Sequence, residues 1–182
     1  MKKILLVVSG MLVGAFGYAQ GTVNFNTRVI PDVDVKVFDV DGTTPLAGTG
    51  FTAQLFGGPQ GTATNSLAPI VPTAAFRTGA GAGYIVPTGN VPVAGVLENG
   101  TATLQLRVWD NMGGTITSYA QAVTSNAKHG ASNAFDLGPL GGTLTTPPNL
   151  KGLLTFNLVV PEPSTIALGI LGAAALLLRR RK

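Results

Sequence analysis

The 182-residue chain has no cysteine, a single histidine and few charged residues, which make up 11% of the sequence. Without cysteine no disulfide can form, so a folded domain must be held together by its hydrophobic core. One histidine and no cysteine cannot assemble a typical zinc site. His129 also lacks a nucleophile elbow, because residues 130–134 do not supply that motif's second glycine. We therefore expect neither an enzyme with catalytic residues nor a bound cofactor.

Positive charge is scarce in the middle of the chain and concentrated at its ends. Of the 12 lysines and arginines, six belong to Lys2, Lys3 and residues 179–182. Between residues 20 and 160, six cations stand against seven acids, which gives a net charge of −1. The +4 charge of the whole chain is therefore no argument for nucleic-acid binding.

The first 19 residues have the composition of a signal peptide. Lys2 and Lys3 form a basic start, residues 4–17 are mostly apolar, and small residues lead up to Ala19. This order predicts export and cleavage by signal peptidase between Ala19 and Gln20. A retained N-terminal anchor is the alternative, and the short apolar stretch ending in small residues argues against it.

The last 23 residues, 160–182, have the order of a signal read at a membrane edge. Pro161 and Pro163 flank Glu162 and continue neither a helix nor a central strand. The next 15 residues, 164–178, predict a helix about 22 Å long, which is short for a hydrocarbon core of about 30 Å. Four basic residues follow: Arg179, Arg180, Arg181 and Lys182. Positive charge next to a membrane segment favours the cytoplasmic side, so this end of the chain is expected there.

This segment resembles the PEP-CTERM protein-sorting family in its Pro-Glu-Pro motif, its short apolar helix and its arginine cluster. The resemblance implies recognition of Pro161, Glu162 and Pro163 by an exosortase, a transpeptidase-like membrane enzyme of Gram-negative bacteria linked to exopolysaccharide production. Arg179, Arg180 and Arg181 would then be the stop signal. The helix over 164–178 would anchor the protein until processing delivers the body to the cell surface or extracellular matrix. A plain membrane-anchored periplasmic protein is an alternative.

The body, residues 20–159, contains short strand patterns separated by glycine, proline, asparagine and threonine. These patterns cover residues 22–26, 33–37, 51–56, 101–109, 134–137 and 153–160. Such strands between turn residues predict an all-β fold, namely a single antiparallel β-sandwich of immunoglobulin-like or jelly-roll-like form. Residues 117–127 have a helical alternative, which their β-branched side chains oppose.

The clearest strand pattern ends at Trp109 and sets this aromatic residue on the polar face of the strand. In it, one face carries only aliphatic residues, and the other carries Thr103, Gln105, Arg107 and Trp109. An exposed ring on a sheet can stack against the apolar face of a sugar. The alternative function is therefore a carbohydrate-binding surface module that uses Trp109 with Tyr119 and Tyr84, for which exopolysaccharide is the expected partner. Equally, Trp109 could pack beneath a loop as part of the scaffold.

Two turn motifs also have functional alternatives. Asp39 and Asp41 precede Gly42, but the EF-hand register places Val37 and Gly48 at the first and last ligand positions, where neither coordinates calcium. We therefore favour an Asp-Gly turn, and a looser calcium site near Asp39 and Asp41 stays open. Asn99 begins a glycosylation sequon but is better explained, with the glycine after it, as a hairpin turn.

Overall fold

The computed structural model describes residues 19–160, and within them the protein is mostly β. The strands, numbered in chain order, are β1 (Gln20–Phe25), β2 (Arg28–Val29), β3 (Val33–Asp34), β4 (Val37–Phe38), β5 (Gly48–Pro59), β6 (Ala68–Pro69), β7 (Ala74–Phe76), β8 (Gly89–Leu97), β9 (Ala102–Asp110), β10 (His129–Ala131), β11 (Phe135–Leu137) and β12 (Phe156–Asn157). One helix, α1, covers Tyr119–Thr124, and 3₁₀ turns cover Thr64–Ser66, Gly79–Gly81 and Met112–Gly114. The expected β class is thus confirmed.

Two antiparallel sheets form most of the fold. In the larger sheet, β5 and β9 pair from Phe51 opposite Asp110 to Pro59 opposite Ala102. β10 and β11 pair with β9, while β6 and β7 pair with β5. In the second sheet, β1 pairs with β8. Two small pairs complete the described part: β2 with β3, antiparallel, and β4 with β12, parallel.

One hydrophobic core takes side chains from both larger sheets. Val23 and Phe25 of β1 and Val93 of β8 are buried in the same cluster as Leu55 of β5 and Leu106 of β9. Burying an aliphatic side chain of this size contributes about 1.5–3 kcal/mol. With no disulfide in the chain, this core is the main source of stability.

Gly57 of β5 marks a close approach between the two sheets. A β-carbon built on it would lie 2.8 Å from Leu104 Cδ2 and 3.1 Å from Val93 Cγ1. Separations this short cannot be accommodated without movement of the neighbouring side chains. The glycine therefore lets β8 pack directly over β5.

Most of the predicted strand positions are confirmed, but two segments differ. Residues 22–26, 51–56, 101–109 and 134–137 coincide largely with β1, β5, β9 and β11. Residues 33–37 are divided between β3 and β4, because Val35 N donates instead to Thr27 O at 2.9 Å. Residues 153–160 form only the two-residue strand β12. Within 117–127, six residues form the short helix α1.

The Asn99-Gly100 turn exists, but it does not close a hairpin. Gly100 N donates to Leu97 O at 3.0 Å, and Asn99 has a φ of 66°, a conformation that asparagine tolerates. β8 before the turn pairs with β1, whereas β9 after it pairs with β5. The hairpin prediction is wrong because the twelve-residue β5 supplies the partner for β9, so the turn carries the chain from one sheet to the other.

Candidate functional site

The outer face of β9, which points away from the main core, is the first place to look for function. It carries the four side chains that the alternating pattern set opposite the aliphatic face. Thr103, Gln105 and Trp109 are buried, with exposed fractions of 7%, 8% and 0%. Arg107 alone among these four remains partly exposed.

Of the two alternatives for Trp109, the structure shows the packed side chain and not the exposed one. Its indole Nε1 donates to Ile116 O at 3.1 Å, and the ring packs in a second hydrophobic cluster with Ile116, Ala122 and Ala127. The segment that follows β9 folds back over this end of the strand, which the alternating pattern could not indicate. A fully buried ring offers no face to a sugar, so Trp109 belongs to the scaffold in this structure.

Tyr84, one of the two tyrosines named as auxiliary sugar contacts, is also buried. Its hydroxyl donates to Asp34 Oδ1, and this bond together with burial raises the pKa of Tyr84 above its ordinary value. The Arg28 guanidinium carbon lies 4.8 Å from the ring centroid, and Lys36 Nζ lies 5.3 Å from it. The side chains of Arg28 and Lys36 therefore occupy the space beside the ring that a sugar would need.

Loops cover the middle of the outer face of β9. Gly61 N donates to Thr103 Oγ1 at 2.8 Å, and the Thr103 hydroxyl in turn donates to Asp136. Gln105 Nε2 donates to Ser132 O at 2.9 Å. The bond from Thr103, and a weaker one from Gln60, lower the pKa of Asp136. Each buried polar group here has a partner, as buried polar groups require.

Arg107 contacts two aromatic rings. Its guanidinium carbon is 4.1 Å from the centroid of Phe56 and 5.3 Å from that of Tyr119, within the range of cation–π contacts. Its Nε donates to Gln105 Oε1 at 2.9 Å, and its Nη2 donates to Thr64 O. Burial lowers the pKa of Arg107 from its ordinary value, and burial also raises the pKa of Tyr119.

A groove with a volume of about 430 Å³ opens beside Arg107. This size falls within the range of about 300–1,000 Å³ that is typical of small-molecule sites. Its lining consists of Gln54, Phe56, Asn65, Leu67, Pro69, Arg107, Thr117, Ser118, Tyr119 and Ala120. The groove combines aromatic, amide, hydroxyl and cationic groups, and we call it the Arg107 groove.

The acidic turn at Asp39 and Asp41 is engaged with the protein itself. Both carboxylate oxygens of Asp39 accept from Lys128 Nζ, at 3.0 and 2.8 Å. Asp41 accepts from the Thr44 hydroxyl and from the backbone of Thr43 and Thr44, which lowers the pKa of Asp41 to about 2. Across residues 19–160, no three histidine or acidic side chains are grouped closely enough to hold a metal ion. The Asp-Gly turn is confirmed.

His129 lies in strand β10 rather than in a loop. Its Nδ1 is 2.9 Å from Ala127 O, and its ring meets Tyr119 edge to face at a centroid distance of 5.5 Å. Among the described residues, the histidine ring forms no hydrogen bond with a hydroxyl group. Its contacts are those of a packed strand residue.

The chain leaves the described fold beside β10. Val159 N donates to His129 O at 2.8 Å, and His129 N donates to Val159 O at 3.1 Å. Val160 follows with half of its surface exposed. The sorting residues that the sequence predicts, Pro161, Glu162, Pro163, Arg179, Arg180 and Arg181, lie outside the described residues, as does the apolar segment 164–178.

At the other end, β1 begins at Gln20, directly after the predicted cleavage position. The carbonyl of Ala19 accepts from Glu98 N at 3.0 Å. Residues 1–18 lie outside the described part. Within residues 19–160, no helix has the length and apolar character needed to cross a membrane.

Together, a mostly β body and a C-terminal Pro-Glu-Pro segment with apolar and basic parts define the class of exported proteins carrying a C-terminal sorting signal. Residues 159–182 match the model of the family described as the PEP-CTERM protein-sorting motif, which confirms the resemblance seen in the sequence. The chain therefore carries the signal of an exosortase substrate. No curated protein and no solved structure matches the chain.

Proposed function

We propose that this protein is exported, anchored by its C-terminal segment, and processed by an exosortase that reads Pro161, Glu162 and Pro163. The match of residues 159–182 to the sorting motif carries this proposal. In it, signal peptidase cleaves between Ala19 and Gln20, the helix over 164–178 holds the precursor in the membrane, and residues 179–181 stop transfer. Processing then delivers the body to the cell surface or extracellular matrix.

The body has a structural rather than a catalytic role in this proposal, as a single β-sandwich over residues 20–159. Support comes from the shared core, in which side chains of the β1–β8 sheet and the β5–β9 sheet are buried together. Val93 of β8 also packs directly over Gly57 of β5, a contact of the kind that facing sheets make where their inner side chains interdigitate.

The described fold ends just before the proposed sorting motif in the chain. Val159 is paired with His129, and Pro161 follows only two residues later. An enzyme acting near Glu162 therefore works close to β10, and access would require loosening of the Val159 bridge. The Val159–His129 pair is an isolated bridge outside the longer strands, and such pairs open at lower free-energy cost than the core strands do.

The test is the C-terminal mass of the full-length chain expressed in a host that contains an exosortase. We expect surface material that has lost Lys182 and the arginine cluster, and we expect Glu162→Gln to retain them in membrane-bound precursor. The same host without its exosortase gene is the matched control and should accumulate precursor. Surface material with an intact Lys182 would contradict the proposal and would support the plain membrane anchor.

A further inference from the structure

The guanidinium of Arg107 has unused hydrogen-bonding capacity. An arginine side chain carries five N–H donors, and two of those of Arg107 are directed to Gln105 Oε1 and Thr64 O. No other hydrogen bond joins this guanidinium to residues 19–160, and its positive charge has no carboxylate partner there. The ion pairs in that part of the chain join Lys128 to Asp39 and Lys151 to Asp32.

The guanidinium is held in a fixed position before any ligand arrives. Phe56 covers one side of it, Tyr119 lies on another, and Gln105 fixes Nε. Gln105 is itself held, because its Nε2 donates to Ser132 O. A cation that is already ordered loses little conformational entropy on binding, and a planar guanidinium recognises a carboxylate through two parallel bonds.

The groups around Arg107 match a ring that carries hydroxyls. Gln54 lies directly opposite Arg107 on β5, and its Nε2 donates to Ile70 O, which leaves its Oε1 without a donor among the described residues. Asn65, Thr117 and Ser118 add amide and hydroxyl groups to the lining, and Tyr119 adds an aromatic ring. Sugar hydroxyls both donate and accept, and the apolar face of a sugar ring packs on an aromatic side chain.

From this combination we propose that the Arg107 groove binds a hexuronate unit of an acidic polysaccharide. The carboxylate meets Arg107, the hydroxyls meet Gln54 and the amide and hydroxyl groups of the lining, and the sugar ring lies against Tyr119. A carboxylate-bearing peptide is the less favoured occupant, because extended peptides pair with open strand edges. The floor of the Arg107 groove is formed by side chains on the face of the paired strands β5 and β9, and its walls come from residues 65–69 and 117–120.

The test uses the full-length protein in mild detergent, titrated with tri-galacturonate, with maltotriose as a neutral control and with tri-glutamate as the peptide control. Calorimetry measures affinity, and fluorescence reports on the groove because Trp109 is the single tryptophan and its ring lies 6.4 Å from that of Tyr119. We expect binding of tri-galacturonate that weakens as sodium chloride is added, and little binding of maltotriose. No binding of tri-galacturonate, equal binding of both sugars, or tighter binding of tri-glutamate would overturn the proposal.

Substitutions at Arg107 identify the site. Arg107→Gln removes the charge and should weaken tri-galacturonate binding at least about tenfold. Arg107→Lys keeps the charge without the planar fork and should fall between the parent and Arg107→Gln. Lys151→Gln makes the same charge change at an exposed position outside the groove and should bind as the parent does. If Arg107→Gln does not fold, Arg107→Lys decides, and unchanged affinity in the folded variant would overturn the assignment.

Discussion

The two faces of β9 are built on different principles, although their residues alternate along the same strand. The inner face carries Ala102, Leu104, Leu106 and Val108, all fully buried in the core shared by both larger sheets. The outer face carries Thr103, Gln105, Arg107 and Trp109, and each of these side chains is in contact with a different segment of the chain. The inner face gains stability from apolar area, whereas the outer face depends on individual directional contacts.

This difference shows where a site can form. A uniformly packed face leaves no polar group free to meet a ligand. A face packed against several separate segments has a groove wherever two neighbouring segments do not touch. On β9 this groove is at Arg107, between the 3₁₀ turn at Thr64–Ser66 and helix α1. The predictions below test how far the two faces differ.

The largest effect is expected at Trp109, because this outer-face residue is packed as completely as an inner one. Trp109→Ala should lower the free energy of unfolding by about 3–5 kcal/mol, the usual cost of removing a large buried aromatic side chain. Leu106→Ala on the inner face should cost about 2–5 kcal/mol. Urea unfolding followed by far-UV circular dichroism measures both, since one variant lacks tryptophan.

Trp109→Phe is the control for the first prediction. It keeps an aromatic ring in the cluster but removes the Nε1 donor to Ile116 O. Its cost should therefore be clearly smaller than that of Trp109→Ala. If Trp109→Ala lowered the free energy of unfolding by less than about 1 kcal/mol, the segment packed over this end of β9 would be loosely packed. Trp109 would then contribute less to stability than an inner-face residue does.

The second prediction concerns acid sensitivity, which the outer face has and an aliphatic face cannot have. Asp136 has a lowered pKa because the Thr103 hydroxyl, and then Gln60, donate to it. A group whose pKa is lower in the folded state stabilises the fold above its ordinary pKa of 3.8, and this contribution is lost as the pH falls through the folded value. Asp136→Asn should therefore lower stability at pH 7, and its difference from the parent should shrink below pH 3.8.

Substitutions at Thr103 test the cause. Thr103→Val removes the main donor and should weaken the acid dependence that Asp136 contributes, whereas Thr103→Ser keeps a hydroxyl and should retain more of it. Thermal unfolding from pH 2.5 to 7 measures all three variants against the parent. A Thr103→Val protein with the full acid dependence would show that the bond between the two strands is not what shifts the pKa of Asp136.

Strands with strong local patterns could be predicted, and strands defined by distant partners could not. Residues 101–109 alternate cleanly and form β9, but β8 was not foreseen because Pro92 and Gly95 interrupt its pattern. Proline is tolerated there because β8 belongs to a two-stranded sheet. The pairing of β9 with β5 rather than β8 depends on packing between residues far apart in the chain, which no local signal reports.

The same distinction between local and distant signals applies to the functional residues. The sorting motif could be found from sequence because its parts are contiguous in the chain and are matched as a sequence pattern. The Arg107 groove could not, since it needs the register that sets Gln54 opposite Arg107 and the folding of residues 116–120 over the sheet. Alternation correctly put Trp109 and Arg107 on one face, but which of the two is covered depends on the chain after β9.

The smallest effect on stability is expected at Tyr119, where the outer face is partly open. Its ring contacts Phe56, Trp109 and His129 edge to face, at centroid distances of 6.3, 6.4 and 5.5 Å. Its hydroxyl forms no hydrogen bond with residues 19–160, and the residue lines the groove. Tyr119→Phe keeps every ring contact and should change the free energy of unfolding by no more than about 0.5 kcal/mol, measured by urea unfolding. A loss above about 1 kcal/mol would mean that the hydroxyl is bound within the protein, and the outer face would then be closed at this point too.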